Sequence, residues 1–350
     1  MKIFDAHCDT IRKIAGEECS FGSAGTTQVS LPSMEKGNVR GQVFACWVSS
    51  EEHPNREYEA AVKMIESVHS LVEAFDDRLM LVTNTPDFQA ALDESRICVF
   101  IGLEGAVALQ DDLENLLTFF KRGLRVLTIA WSDNAFCGSV FGNGEGLSKK
   151  GHSLIELCEE LGIIIDVSHA SDRAFQDVLT CAKGPFIASH SNCRVVCPNP
   201  RNLTDDMIRY LSDRGGVLGI NMGSGFLSPS FYNQQKAVHD RFFRIMTSKA
   251  QSFNEAMKDV EEEIAGFPRP EINWIVEHVK HAINIGGENC VGFGSDFDGV
   301  ESTPQQVDGD SSYPYIIHLL DRAGLNSRQI EKVCFDNFAR LFYEVLDRSS

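Results

Sequence analysis

The chain has 350 residues, 43% of them hydrophobic, which is enough for a sizeable core and normal for one large α/β barrel with insertions. Its 50 acidic against 32 basic side chains give a net charge of −18, which argues against nucleic acid and anionic membrane surfaces as partners. No run of about 18 apolar residues offers a bilayer span.

Short apolar runs recur along the chain. They are KIFDAH (2–7), GQVFACWV (41–48), ICVFIGLEG (97–105), LRVLTIAW (124–131), GIIIDVSH (162–169), PFIASHS (185–191), GVLGINM (216–222) and CVGFGSDFDG (290–299). Several are apolar almost throughout, as expected of parallel strands buried on both faces. Amphipathic segments separate them. Helices are predicted over 55–75, 111–123, 153–162, 204–216, 270–287 and 327–346. Ser153 with Glu156 reads as a capping box, and Thr204 as an N-cap followed by two acids. Eight strands alternating with helices predict a (β/α)8 TIM barrel of the metal-dependent hydrolase type, as one domain over 1–350. The stretch 223–269 breaks the rhythm after the seventh run. An insertion of that length at the C-terminal mouth is a candidate lid.

Polar residues gather at the ends of the runs. His7 and Asp9 end the first, Glu104 the third, His169 the fifth, His190 the sixth and Asp296 the eighth. A barrel presents its catalytic groups at those ends, so six residues spread along the chain converge. One strand-end histidine alone is more often structural. Three histidines with three carboxylates in one dry site need cations to offset the crowded negative charge. A pair of divalent ions fits: His7, Asp9 and Glu104 for one, and Glu104, His169 and His190 for the other, with Glu104 bridging. Mixed nitrogen and oxygen ligands suit two Zn2+ per chain, with manganese, iron or cobalt as alternatives. Two such ions hold and activate a bridging water, and Asp296 is then better used as its base than as a ligand.

The motifs DAHCDT, IGLEGA, IDVSHAS, SHSNCRVVCPNPRNLTDD and GFGSDFDG, in that order from residue 5 to 299, resemble those of the membrane dipeptidase (renal dipeptidase) family, peptidase family M19. The resemblance implies a (β/α)8 barrel with two zinc ions that hydrolyses dipeptides, including those with a C-terminal D-amino acid. It implies the same two metal groups, with Asp296 as the catalytic aspartate that shuttles a proton. It makes Arg201 the arginine that grips the substrate carboxylate, a geometry that suits a guanidinium fork. It also implies a homodimer. Trp131 stands where the best-known members have a histidine that contacts substrate, and offers one N–H donor or an apolar wall. INMGSG (220–225) replaces an aromatic-containing segment of those members.

Rival readings are another binuclear-metal hydrolase, such as a lactonase or deaminase, and a barrel that binds metal and ligand without turnover. His-x-Asp on the first strand, rather than His-x-His, favours the dipeptidase. Eleven cysteines without a CxxC pair read as buried free thiols. The opening MKIFDAHCDTIRKIAGEE has no long apolar stretch. Both features lead to the expectation of a cytoplasmic protein free of membrane. His53, His69, His239, His278, His281 and His318 read as surface groups, and His152 carries no motif.

Overall fold

The computed structural model describes residues 1–16, 20–248 and 253–347. Its strands are β1 (Ile3–Cys8), β2 (Val39–Trp47), β3 (Leu79–Leu81), β4 (Ile97–Glu104), β5 (Leu124–Thr128), β6 (Ile164–Asp166), β7 (Ile187–Ser191), β8 (Val217–Ile220) and β9 (Val291–Phe293). All pair in parallel, and β2 pairs with β4 to close the ring. The eight predicted strands form the barrel. The ninth, β3, is a three-residue strand on the lower edge of β4, too short to show as an apolar run.

Alternation sorts the core into two layers. On β4, Val99, Ile101 and Leu103 face the surrounding helices, while Cys98 and Phe100 face the barrel interior. Glu104 continues the inner series at the top of the strand. The other end is sealed. Phe338, Leu341 and Phe342 of the helix Asn337–Asp347 cluster with Phe4, Ile164, Ile187 and Val217 from the strand starts. Phe342 lies 4.7 Å from both Phe4 and Phe100, ring centre to ring centre. The polar groups therefore have one mouth open to them, at the C-terminal ends of the strands.

Helices cover the outside, six of them where amphipathic spacing predicts. The predicted helix 153–162 begins earlier, at Lys149, because Ser148 rather than Ser153 caps it by accepting the Gly151 N–H at 3.1 Å. Gly162 stops it at φ 68°, which glycine adopts without strain. The predicted 327–346 helix is broken by a π turn over Lys332–Asp336. Thr204 caps as expected. The insertion after β8 is largely helical (Ser224–Leu227, Pro229–Ser248 and Phe253–Ala265), with a small apolar cluster of its own around Phe231, Val238, Val260 and Ile264.

Ten cysteines are described; none is paired and nine are buried, while Cys19 lies outside the described residues. Among the described residues no helix is long and apolar enough to cross a membrane.

Candidate active site

The six strand-end groups meet at the open mouth. Glu104 is their centre. Its Oε1 lies 2.9 Å from His169 Nε2 and 3.4 Å from His190 Nε2, and its Oε2 lies 3.5 Å from His7 Nε2. His7 Nε2 is also 3.5 Å from Asp9 Oδ2. His169 Nε2 and His190 Nε2 are only 2.9 Å apart, so both rings aim at one point.

Irregular backbone sets this aim. His7 lies in a register shift of β1 between Asp5 and Cys8, and His190 in one of β7 between Ala188 and Ser191. Such shifts re-aim side chains out of strict alternation. In β1 the break lets Ala6 face the interior and Cys8 the outer layer, freeing His7 to turn inward. His169 and Asp296 adopt left-handed φ of 67° and 60°, rare for residues with a Cβ and typical of functional sites. The Val140 N–H donates to the His169 carbonyl at 2.9 Å, and the Asp296 N–H to that of His7 at 3.1 Å.

Asp296 sits beside Asp9. A Cβ on Gly299 would fall 2.1 Å from Asp9 Oδ2 and 2.7 Å from Asp296 Oδ1, so both carboxylates crowd the same glycine. Asn221 Nδ2 donates to Asp296 Oδ2 at 2.7 Å. Arg201, also buried, donates from Nη1 to Ser191 Oγ and from Nη2 to the His190 carbonyl, both at 3.1 Å. Its Nε has no partner, and Phe226 from the insertion lies 5.6 Å from the guanidinium carbon. Trp131, 36% exposed, stands at the rim, its ring 6.1 Å from His169 and edge-on to Trp47 at 4.8 Å.

The charges do not balance within the protein. Burial and the neighbouring Asp9 carboxylate push Asp296 up to about 8, and burial with Glu104 raises Asp9. Burial also opposes charge on Glu104, but His7, His169 and His190 outweigh it and hold that carboxyl well below its usual range. Burial, helped by Arg201, pushes His169 down to about 4. His7 Nε2 is buried without a hydrogen-bond partner, between two carboxylates. An orphaned imidazole nitrogen, facing carboxylates and two converging nitrogens, fits divalent cations. The ligand atoms of His7, Asp9 and Glu104, and those of Glu104, His169 and His190, each lie within 4.8 Å of one another. A third grouping, His7, Asp166 and His190, also meets that spacing, but four donors already occupy the Asp166 carboxylate.

The family model for the membrane dipeptidases (Peptidase family M19) matches residues 1–349. The chain belongs to that family. Rat dipeptidase 3 is 26% identical over 326 residues, 91% of this chain but 58% of the rat chain's length. Dipeptidase AC, a metallo peptidase of family M19, superposes with a TM-score of 0.82 at 25% identity, covering 100% of this chain and 98% of that one. A Rhodobacter sphaeroides metallo peptidase, solved with a phosphinate mimic of the dipeptide L-Ala-D-Ala, superposes at 0.81 with 24% identity over 100% and 99% of the two chains. The second superposition speaks for the fold. Membership in this metallopeptidase family makes the chain a dipeptide-hydrolysing metalloenzyme.

Three polar residues of the site escape sequence reasoning. Asn221, Asp166 and Asp5 act through hydrogen bonds between strands, and no spacing in the chain announces those. His278 corrects an expectation: it is fully buried, accepting the Cys193 N–H at Nδ1 (3.1 Å) and pairing with the Leu227 carbonyl through Nε2 (3.0 Å). His239 and His281 are half-buried beside Glu301 and Asp205. His53, His69 and His318 are exposed as expected, and His152 is exposed as well.

Proposed function

We propose that this member of the membrane dipeptidase family cleaves dipeptides with two Zn2+ ions per chain, held by His7, Asp9 and Glu104 and by Glu104, His169 and His190. The observation that carries the reading is the Glu104 carboxylate, shared by three histidine nitrogens, with the unpartnered His7 Nε2 between it and Asp9. When bound, such ions supply a Lewis-acid centre that activates water and stabilises developing negative charge.

The rest falls to side chains. Asp296, beside Asp9 and steadied by Asn221, takes the proton of the attacking water and passes it to the leaving amine. Burial and the Asp9 carboxylate raise the affinity of the Asp296 carboxylate for a proton, which makes it a stronger base toward that water than an exposed aspartate. Arg201 has unused donors, among them the buried Nε, to grip the substrate's free C-terminal carboxylate. Trp131 walls the mouth near His169. The dipeptide mimic bound by the Rhodobacter sphaeroides relative supports substrates with a C-terminal D-residue. The same reading includes a homodimer, a cytoplasmic location free of membrane, and one barrel domain whose 223–269 insertion reaches the substrate pocket through Phe226.

The test is amino-acid release from paired L-Xaa-D-Xaa and L-Xaa-L-Xaa dipeptides, with metal analysis of the same preparation. About two zinc ions and turnover of both series are expected, with the D-series retained. Turnover of lactones or deamination of bases in place of dipeptides would replace this reading with its rival.

A further inference from the structure

Two buried carboxylates that the proposed chemistry does not use stand in matching places beneath the site. Asp5 Oδ1 accepts the His7 N–H at 3.2 Å and the Ser295 N–H at 2.8 Å, and its Oδ2 accepts the Tyr313 hydroxyl at 2.8 Å. Asp166 Oδ1 accepts the Ser168 N–H at 2.9 Å and the Ser189 N–H at 2.8 Å. Its Oδ2 accepts the Thr128 and Ser189 hydroxyls, both at 2.6 Å. The plan is the same twice. Each carboxylate takes the backbone N–H two residues ahead of it in sequence and one from a neighbouring strand end. Asp5 thereby fixes His7 and the residue before Asp296. Asp166 fixes the residues before His169 and His190.

The second clamp also reaches a ring. Ser189 Oγ lies 2.7 Å from His190 Nδ1. A hydroxyl has one proton, and the shortest and only charged acceptor for it is Asp166. Ser189 therefore accepts from His190, which places that ring's proton on Nδ1 and leaves Nε2 bare toward Glu104. A bare Nε2 is the form that binds metal. An amide in place of Asp166 would turn an NH2 toward two hydroxyls. Ser189 would then accept from the amide and donate to Nδ1, and the ring's proton would move to Nε2.

We propose that Asp5 and Asp166 are positioning residues, each serving one metal group: Asp5 for His7, Asp9 and Glu104, and Asp166 for Glu104, His169 and His190, the latter by fixing the His190 tautomer. This rests on the two-ion reading above.

The experiment is zinc titration of metal-free protein against a competing chelator, in backgrounds that keep one group each. In His7→Ala the second group remains, and Asp166→Asn should weaken its zinc binding about 10–100-fold while Asp5→Asn leaves it unchanged. In His169→Ala the pattern should reverse. Nitrogen NMR of metal-free protein should show His190 protonated at Nδ1, moving to Nε2 in Asp166→Asn. If either substitution fails to fold, Ser189→Ala and Tyr313→Phe spare both carboxylates and probe the same clamps with the same expected selectivity. Equal losses in both backgrounds, or none in either, would overturn the assignment. Wild-type protein that takes up no zinc would sink the two-ion reading and this inference together; wild-type protein that binds two ions without site-selective losses sinks this inference alone.

Discussion

At the scale of single residues, Glu104 and Asp296 differ in what their loss should do. Glu104→Gln keeps the size of the side chain but gives up the charge that three histidine nitrogens face. It should lower metal content and activity together. Asp296→Asn should keep the metal, because none of the ligand groupings contains Asp296. It should lower kcat by about 10²–10⁴-fold, the usual worth of positioned acid–base help. Metal content and kcat measured on one preparation separate the two roles, and a parallel fall of both in Asp296→Asn would make it a ligand. Arg201→Ala should cost about 2–4 kcal/mol in kcat/KM for free dipeptides and little for their C-terminal amides. Equal cleavage of acid and amide by the unaltered enzyme would remove Arg201 from carboxylate binding. These residues were legible because chemistry gathers at strand ends, and an apolar run that stops in His or Glu marks such an end. Arg201 needed the family resemblance, since its loop carries no local signal. Asp5, Asp166 and Asn221 stayed hidden because most of their partners lie far away along the sequence.

At the scale of elements, the strands were readable because burial on both faces leaves unbroken apolar runs, whereas β3 has three residues and nothing to distinguish it. The helix Asp172–Cys181 was missed because only Ala174, Phe175 and Val178 face its core, too few to mark a period. Its cap was present all the same: Ser171 accepts the Ala174 N–H at 3.0 Å. The helix Asn273–Gly286 was found, but its buried His278 was not, because a histidine among polar neighbours looks the same in sequence whether it faces water or the core. That histidine ties the helix to Cys193 beyond β7 and to Leu227 of the insertion. Burial holds its pKa down at about 4, below the 6.5 of an unburied histidine. The folded state therefore binds fewer protons at His278 than the unfolded state between those two values. Its contribution is intact above about pH 6.5 and is lost as pH falls toward 4, at up to about 1.4 kcal/mol per pH unit. Urea unfolding of the unaltered protein and of His278→Gln at pH 7.5 and pH 5 checks this. The gap between them should shrink at the lower pH, and a constant gap would mean that His278 takes up its proton equally in the folded and unfolded states.

At the scale of the whole molecule, the ring of strands and the candidate metal centre depend on each other. The ligands come from β1, β4 and β7 and from the turn after β6, four separate places on the closed barrel. In the unfolded chain they lie up to about 180 residues apart, so the set exists only when the ring is closed. Ions that bind the folded state alone must then stabilise it by mass action, by about 2.7 kcal/mol for each site at a free concentration 100-fold above Kd. Unfolding entropy near 2 cal/mol/K per residue converts that to roughly 4 °C in Tm for each ion in a chain of this length. Without cations, Asp9, Glu104 and Asp296 are left in a buried site where burial already lifts two of the three carboxyls. Chelation should therefore lower Tm by several degrees, and added zinc should restore it. Glu104→Gln is the control, because the shared ligand is gone: its Tm should hardly respond to either treatment. A Tm that chelator and zinc leave unmoved in the unaltered protein would mean that the closed barrel does not hold the ions its side chains converge on.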